Sequence, residues 1–110
     1  MLTHTLSKLE TKIKASPNIP DDKKDEYLSL LTELNTQINL LSNDDREKAK
    51  SIAGFTEVST QQAVREEINP DLLKISADGL AESAREIGAS YPKLTSLAND
   101  ICNLLSRLGI

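Results

Sequence analysis

Residues 73–108 read LKISADGLAESAREIGASYPKLTSLANDICNLLSRL, and the fold turns on how this stretch is read. Alternate steps of four and three from Leu73 land on Ala77, Leu80, Ala84, Ile87, Tyr91, Leu94, Ala98, Ile101, Leu105 and Leu108. Every one is apolar or aromatic, and the alternation never slips. A period of about 3.5 residues draws one nearly straight apolar stripe along an α-helix. Alanine recurs along it at Ala77, Ala84 and Ala98, and lets a neighbouring helix approach more closely than the usual ~8–10 Å. The flanks are mostly small or apolar as well, with Ser76, Ser83, Ser90, Leu97 and Leu104 on one side and Lys74, Ala81, Gly88, Thr95 and Cys102 on the other. A two-stranded coiled coil carries Glu and Lys there to set partner choice. These flanks instead predict an all-α helical bundle. The outer face holds Asp78, Arg85, Glu86, Asn99, Asp100 and Arg107, with Ile75 as its one large apolar exception.

Pro92 interrupts the stripe without shifting its phase. A proline inside a helix loses one backbone hydrogen bond and collides with the carbonyl four residues back. That residue is Gly88, the least obstructive neighbour and a flexible point. The kept phase predicts a long, kinked but continuous C-terminal helix. The alternative ends one helix near Gly88 and starts another with Ser90 as its cap. Asn69-Pro70-Asp71 marks the start through a cap, a proline at the first position and an acid in the first turn. Gly109 is the expected left-handed terminator, with Ile110 folding back as its hydrophobic partner.

A helix from Pro70 to Leu108 spans roughly 58 Å at 1.5 Å per residue. A compact chain of this length has a radius of gyration of only about 13 Å. The stripe therefore outreaches what its own chain can lay over it, and large uncovered apolar stripes mark interfaces. This predicts a homo-oligomer, with a two-fold dimer favoured. Its expected interface is Leu80, Ala84, Ile87, Tyr91, Leu94, Ala98, Ile101, Leu105 and Leu108. A monomeric bundle bent sharply at Gly88–Pro92 is the competing reading.

Working toward the N-terminus, the chain divides into a helical hairpin at 1–42, a weakly helical connection at 43–68 and the long helix at 69–110, within one domain. Leu2, Leu6, Leu9 and Ile13 repeat the four-three spacing and predict a helix from Thr3 to Ala15. Ser16-Pro17-Asn18-Ile19-Pro20 ends it. A second helix starts at Pro20 or Asp21, where Asp21, Asp22, Asp25 and Glu26 load the positive end of its dipole. Tyr27, Leu31, Leu34, Ile38 and Leu41 give its buried face. A short linker predicts antiparallel packing of these two helices. Ser42-Asn43-Asp44-Asp45 reads as a stop followed by a fresh cap. Residues 45–66 read as helical with a defect around Gly54, because Gly, β-branched and aromatic residues crowd 51–60.

Composition excludes several function classes. The chain has 110 residues, a net charge of −4 and 3% aromatic residues, so its core is Leu, Ile and Ala. From Ser51 onward five Lys and Arg stand against eight acidic residues, and no basic face forms. Nucleic-acid binding is not expected. Nor is a membrane span, since no apolar run approaches 18 residues. The N-terminal residues do not read as a signal peptide, which predicts a cytoplasmic protein. His4 is the sole histidine, so neither a His-rich zinc site nor the paired Glu-x-x-His of di-iron bundles is expected. Cys102, the sole cysteine, reads as a packed thiol, because no cation lies within one turn on its face. The Asp21/Asp22/Asp25/Glu26 cluster lacks calcium-loop spacing and reads as dipole capping. Phe55 and Tyr91 read as core fillers. No catalytic residue, cofactor or metal is expected.

Ser51-Ile52-Ala53-Gly54-Phe55, Asn69-Pro70-x-Leu72-Leu73 and Pro92-x-Leu94…Asn99-x-Ile101-Cys102-x-x-Leu105-x-x-Leu108-Gly109-Ile110 resemble a family of short bacterial all-helical proteins catalogued as a domain of unknown function. The resemblance covers most of the chain and is most specific in its last twenty residues. Members tend to carry His before the proline, where this chain has Tyr91, so no role of that histidine carries over. The resemblance implies a small bacterial helical protein and supplies no activity. The expected function is therefore a non-enzymatic helical interaction or scaffold protein that self-associates along the stripe. Its rivals are a bundle binding a small apolar ligand or lipid near Phe55 and Tyr91, and a regulatory subunit of an unknown protein partner.

Overall fold

Leu6, Leu9 and Ile13 fall on one helical face and are buried together, and the helix they belong to, α1, runs Thr3–Ala15 as the spacing predicts. The computed structural model describes the backbone over residues 3–108 and the side chains at 6–88 and 90–108. Met1, Leu2, the His4 side chain and the expected Gly109–Ile110 terminator lie outside the described residues. Two prolines in the linker stop α1, and α2 (Asp21–Asn39) follows. Tyr27, Leu31, Leu34 and Ile38 form its buried face. Lys24 at its start donates to the Lys14 carbonyl at the end of α1, 2.9 Å away. Asp21 and Glu26 pair with Lys24 and Lys23, so part of the acidic cluster is balanced by neighbouring lysines.

Ser42 accepts from the Asp45 amide at the start of α3 (Asn43–Lys48). The following helix, α4 (Lys50–Ala63), passes through Gly54 without a defect. The interruption between α3 and α4 falls at Ala49 instead. Packing overrides weak propensity here: Ile52, Thr56, Ser59, Thr60 and Ala63 make one buried face. Its hydroxyls bond carbonyls one turn back, Thr56 to Ile52 and Thr60 to Thr56, both at 2.7 Å. The connection at 43–68 is thus a packed helical layer. Asn18 fastens the α1–α2 linker to the connection that follows α4 by donating to the Arg65 and Glu66 carbonyls.

The chief correction concerns the last third. There is no continuous helix from Pro70 to Leu108. Asn69 caps α5 (Pro70–Ile87) through the Asp71 and Leu72 amides, as predicted. Gly88 then takes φ 57° and ψ −141°, a conformation suited to glycine. A three-residue 3-10 turn, Gly88–Ser90, leads to α6 (Pro92–Ser106). Tyr91 stands before the proline at φ −136° and ψ 69°, outside the helical region, as that position favours. The two helices pack against each other and bring Cys102 Sγ within 3.3 Å of the Ala77 carbonyl. The molecule measures 38 × 25 × 19 Å, too short for a ~58 Å rod. Folding the stripe back buries both halves at about 25 cal/mol per Å². A straight rod leaves much of that area wet.

Candidate interaction surface

The residues expected at an oligomer interface are covered by the chain's own helices. Leu80, Ala84, Leu94, Ala98, Ile101 and Leu105 are buried, and Ile87, Tyr91 and Leu108 pack half-buried against the same core. The length mismatch that required a second copy is therefore gone. In the folded chain these side chains are turned to its own core.

Four of the large apolar side chains left exposed lie on α4 and α5, the most extensively packed helix pair. Phe55 sits in the middle of α4 and its ring lies over Gly79, where a Cβ would stand 2.6 Å from Phe55 Cδ1. Both residues are two turns or so from the loop joining the helices, so the pair runs antiparallel with Phe55 level with Gly79. Val58 lies one turn along α4 from Phe55, and Ile75 and Leu72 lie on α5 one and two turns before Gly79. All four are exposed: Phe55 38%, Leu72 43%, Val58 45% and Ile75 66%. A shallow groove of ≈ 220 Å³ follows the α4 side, lined by Ser51, Gly54, Phe55 and Val58. Phe55 is thus a surface ridge resting on a bare backbone, not the core filler expected. Ile75 was visible in the sequence as the apolar intruder on a polar face. Val58 and Leu72 carried no such signal, because their exposure depends on how α4 and α5 are rotated.

Lys74 pairs with Asp78 at 2.9 Å beside this ridge, and Asp78 draws the Lys74 ammonium pKa above its ordinary value. Leu40, the other large exposed apolar side chain among the described residues, belongs to the end of α2.

Tyr91 stands elsewhere. Its hydroxyl donates to Asp45, whose bond and charge hold the phenol above the usual tyrosine range. The notch around it, ≈ 250 Å³, is lined by Asp45, Lys48, Glu86, Ile87, Ser90 and Tyr91. It shares no lining residue with the Phe55 groove, so the two aromatics do not frame one ligand site.

Cys102 is half-buried, and burial pushes its thiol up to about 11. It is protonated at neutral pH and a poor nucleophile. Tyr27 is fully buried and its hydroxyl lies 2.6 Å from Thr60 Oγ1. The Thr60 proton is already directed at the Thr56 carbonyl, so Tyr27 donates. Desolvation pushes its ionisation far upward. Among the described residues no cluster of three or more His, Cys, Asp or Glu side chains could hold a metal ion. No helix among them is long and apolar enough to cross a membrane. No family model, no curated protein and no solved structure matches this chain.

Proposed function

We propose that the chain is a non-enzymatic helical interaction protein that pairs with a second copy of itself through the α4–α5 face. One observation carries the reading: a closed core still leaves Phe55, Val58, Leu72 and Ile75 exposed as a ridge. A second copy fits because the ridge is bordered by both signs of charge. When two α5 helices cross antiparallel near Ser76, Lys74 of each faces Asp78 of the other. The same pairs then form between copies as within one. The ridge has four side chains, well below the ~800 Å² per partner of a standard interface. The dimer is therefore weak and concentration-dependent. An apolar ligand beside Phe55 is less well served, since the ≈ 220 Å³ of open groove there falls short of the ~300–1,000 Å³ of ligand pockets. A cytoplasmic location and the kinship implied by the resemblance belong to the same reading.

Sedimentation equilibrium from micromolar to millimolar chain tests it. The apparent mass is expected to rise with concentration, and Ile75→Asp or Val58→Asp to return it to one chain. A wild-type chain that stays monomeric at millimolar concentration, or an association unmoved by either variant, overturns it.

A further inference from the structure

We infer that the Gly88–Tyr91 turn is a hinge, and that opening it lets α6 leave its own body and occupy the same seat on a second copy. The product is a helix-exchanged dimer, distinct from pairing through the α4–α5 face and independent of it.

The kept phase is the first reason. In the folded hairpin α5 and α6 each bury their own face, and nothing requires both faces to lie on one 3.5-residue repeat. Yet Ile87, Tyr91 and Leu94 continue it without a slip. The phase gains a physical meaning only when residues 88–91 are helical too. The two halves then line one side of a single helix, so the two bodies sit on the same side of it.

Gly88 is the second. In the turn it supplies φ 57°, and the space around it is open, with nothing within 4 Å of a Cβ placed there. In a continuous helix it occupies the residue whose carbonyl the Pro92 ring strikes, and glycine lets that carbonyl tilt away. One residue suits both states.

The turn lies beside open clefts of the surface and is tied down by a small set of hydrogen bonds. Cavities of ≈ 420, ≈ 150 and ≈ 250 Å³ have Gly88, Tyr91, Pro92 or their neighbours on their walls. The Tyr91 hydroxyl bond to Asp45 ties the turn to α3. Thr95 Oγ1 lies 3.3 Å from the Ala84 and Tyr91 carbonyls and 3.4 Å from that of Gly88, sharing one proton among them, and the Tyr91 contact survives in a straight helix. Exchange returns Leu94, Ala98, Ile101 and Leu105 to identical neighbours on another chain. The balance is set by the hinge and by concentration.

The test places one cysteine. Ala77→Cys puts a second thiol beside the native Cys102, whose Sγ reaches the Ala77 carbonyl at 3.3 Å. The chain is refolded at millimolar concentration, diluted to micromolar in mildly alkaline buffer and oxidised at once with copper phenanthroline, a zero-length coupling that two adjacent thiols can form without admitting a linker to the core. A hairpin links the introduced thiol to Cys102 within one chain, while an exchanged dimer links two chains, read on a non-reducing denaturing gel. Dilution dissolves face-to-face pairs but not exchanged helices. Two-chain product is expected; Tyr91→Phe removes one typical hydrogen bond at each of the two hinges, so its dimerisation constant rises about fivefold per hinge, roughly 25-fold in all, and product rises also in Gly88→Ala. Should Gly88→Ala or the added cysteine fail to fold, sedimentation of Tyr91→Phe alone after the same refolding decides. Only single-chain product, or a dimer share that neither hinge substitution raises, overturns the inference.

Discussion

The ring of Phe55 rests on the bare backbone of Gly79, and each depends on the other. A Cβ at Gly79 would stand 2.6 Å from Cδ1 and 2.8 Å from Cζ of that ring. Gly79→Ala gains about 1 kcal/mol of helix propensity, but it displaces the ring at an overpacking cost of about 1–3 kcal/mol. The substitution is expected to destabilise the wild-type chain by about 1 kcal/mol and to stabilise Phe55→Ala by about as much. Urea denaturation of the four members of this cycle measures the coupling; additive effects would refute the contact.

Gly54 is a contrasting glycine. It lies within α4 with no neighbour inside 4 Å of a Cβ and with a negative φ. Gly54→Ala should stabilise the chain by about 0.5–1 kcal/mol, read as a shift of the urea midpoint at unchanged slope. A loss of stability would mean that α4 is not continuous there.

Leu94 and Ala98 separate core from interface. Both are buried between α6 and its neighbours. Leu94→Ala should cost about 2–5 kcal/mol, and Ala98→Glu should leave the chain unfolded at every concentration. Circular dichroism checks this. A fully helical, stable Ala98→Glu monomer would restore the idea that this face meets a partner instead of the chain's own core.

Alkaline pH should destabilise the protein chiefly through the two groups that desolvation raises most, beside the half-buried Tyr91 and the exposed Lys74. Cys102 ionises at 9.0 ordinarily and near 11 in the fold, and Tyr27 ionises at 10.0 ordinarily and well above that when buried. Both folded values are raised, so the folded state holds protons that the unfolded chain releases. The stability they contribute is complete below pH 9, declines from there, and is lost as pH passes the folded values. Each group adds up to about 1.4 kcal/mol per pH unit within its window. Cys102→Ala with Tyr27→Phe should flatten the curve between pH 9 and 11. An unchanged slope in that variant would assign alkaline unfolding elsewhere.

What the chain disclosed directly was local. The limits of α1, the Asn69 cap of α5 and the buried face of α2 follow from capping residues, prolines and spacing that act within a few residues. The all-helical class and the identity of the buried stripe followed from periodicity. Periodicity records which side chains avoid water, however, and not what covers them. A straight rod completed by a second copy and a hairpin closed on itself bury the same Leu94, Ala98 and Ile101. Only the tertiary structure chose between them. The conformation of Gly88, the residue before Pro92 and the area gained by folding α6 onto α2 and α5 act together, and none is a property of the pattern alone. The same holds for the exposed ridge. Ile75 stood out in the sequence, but whether Phe55 points inward or lies over Gly79 depends on the rotation of two helices about each other, which emerges once the whole core is packed.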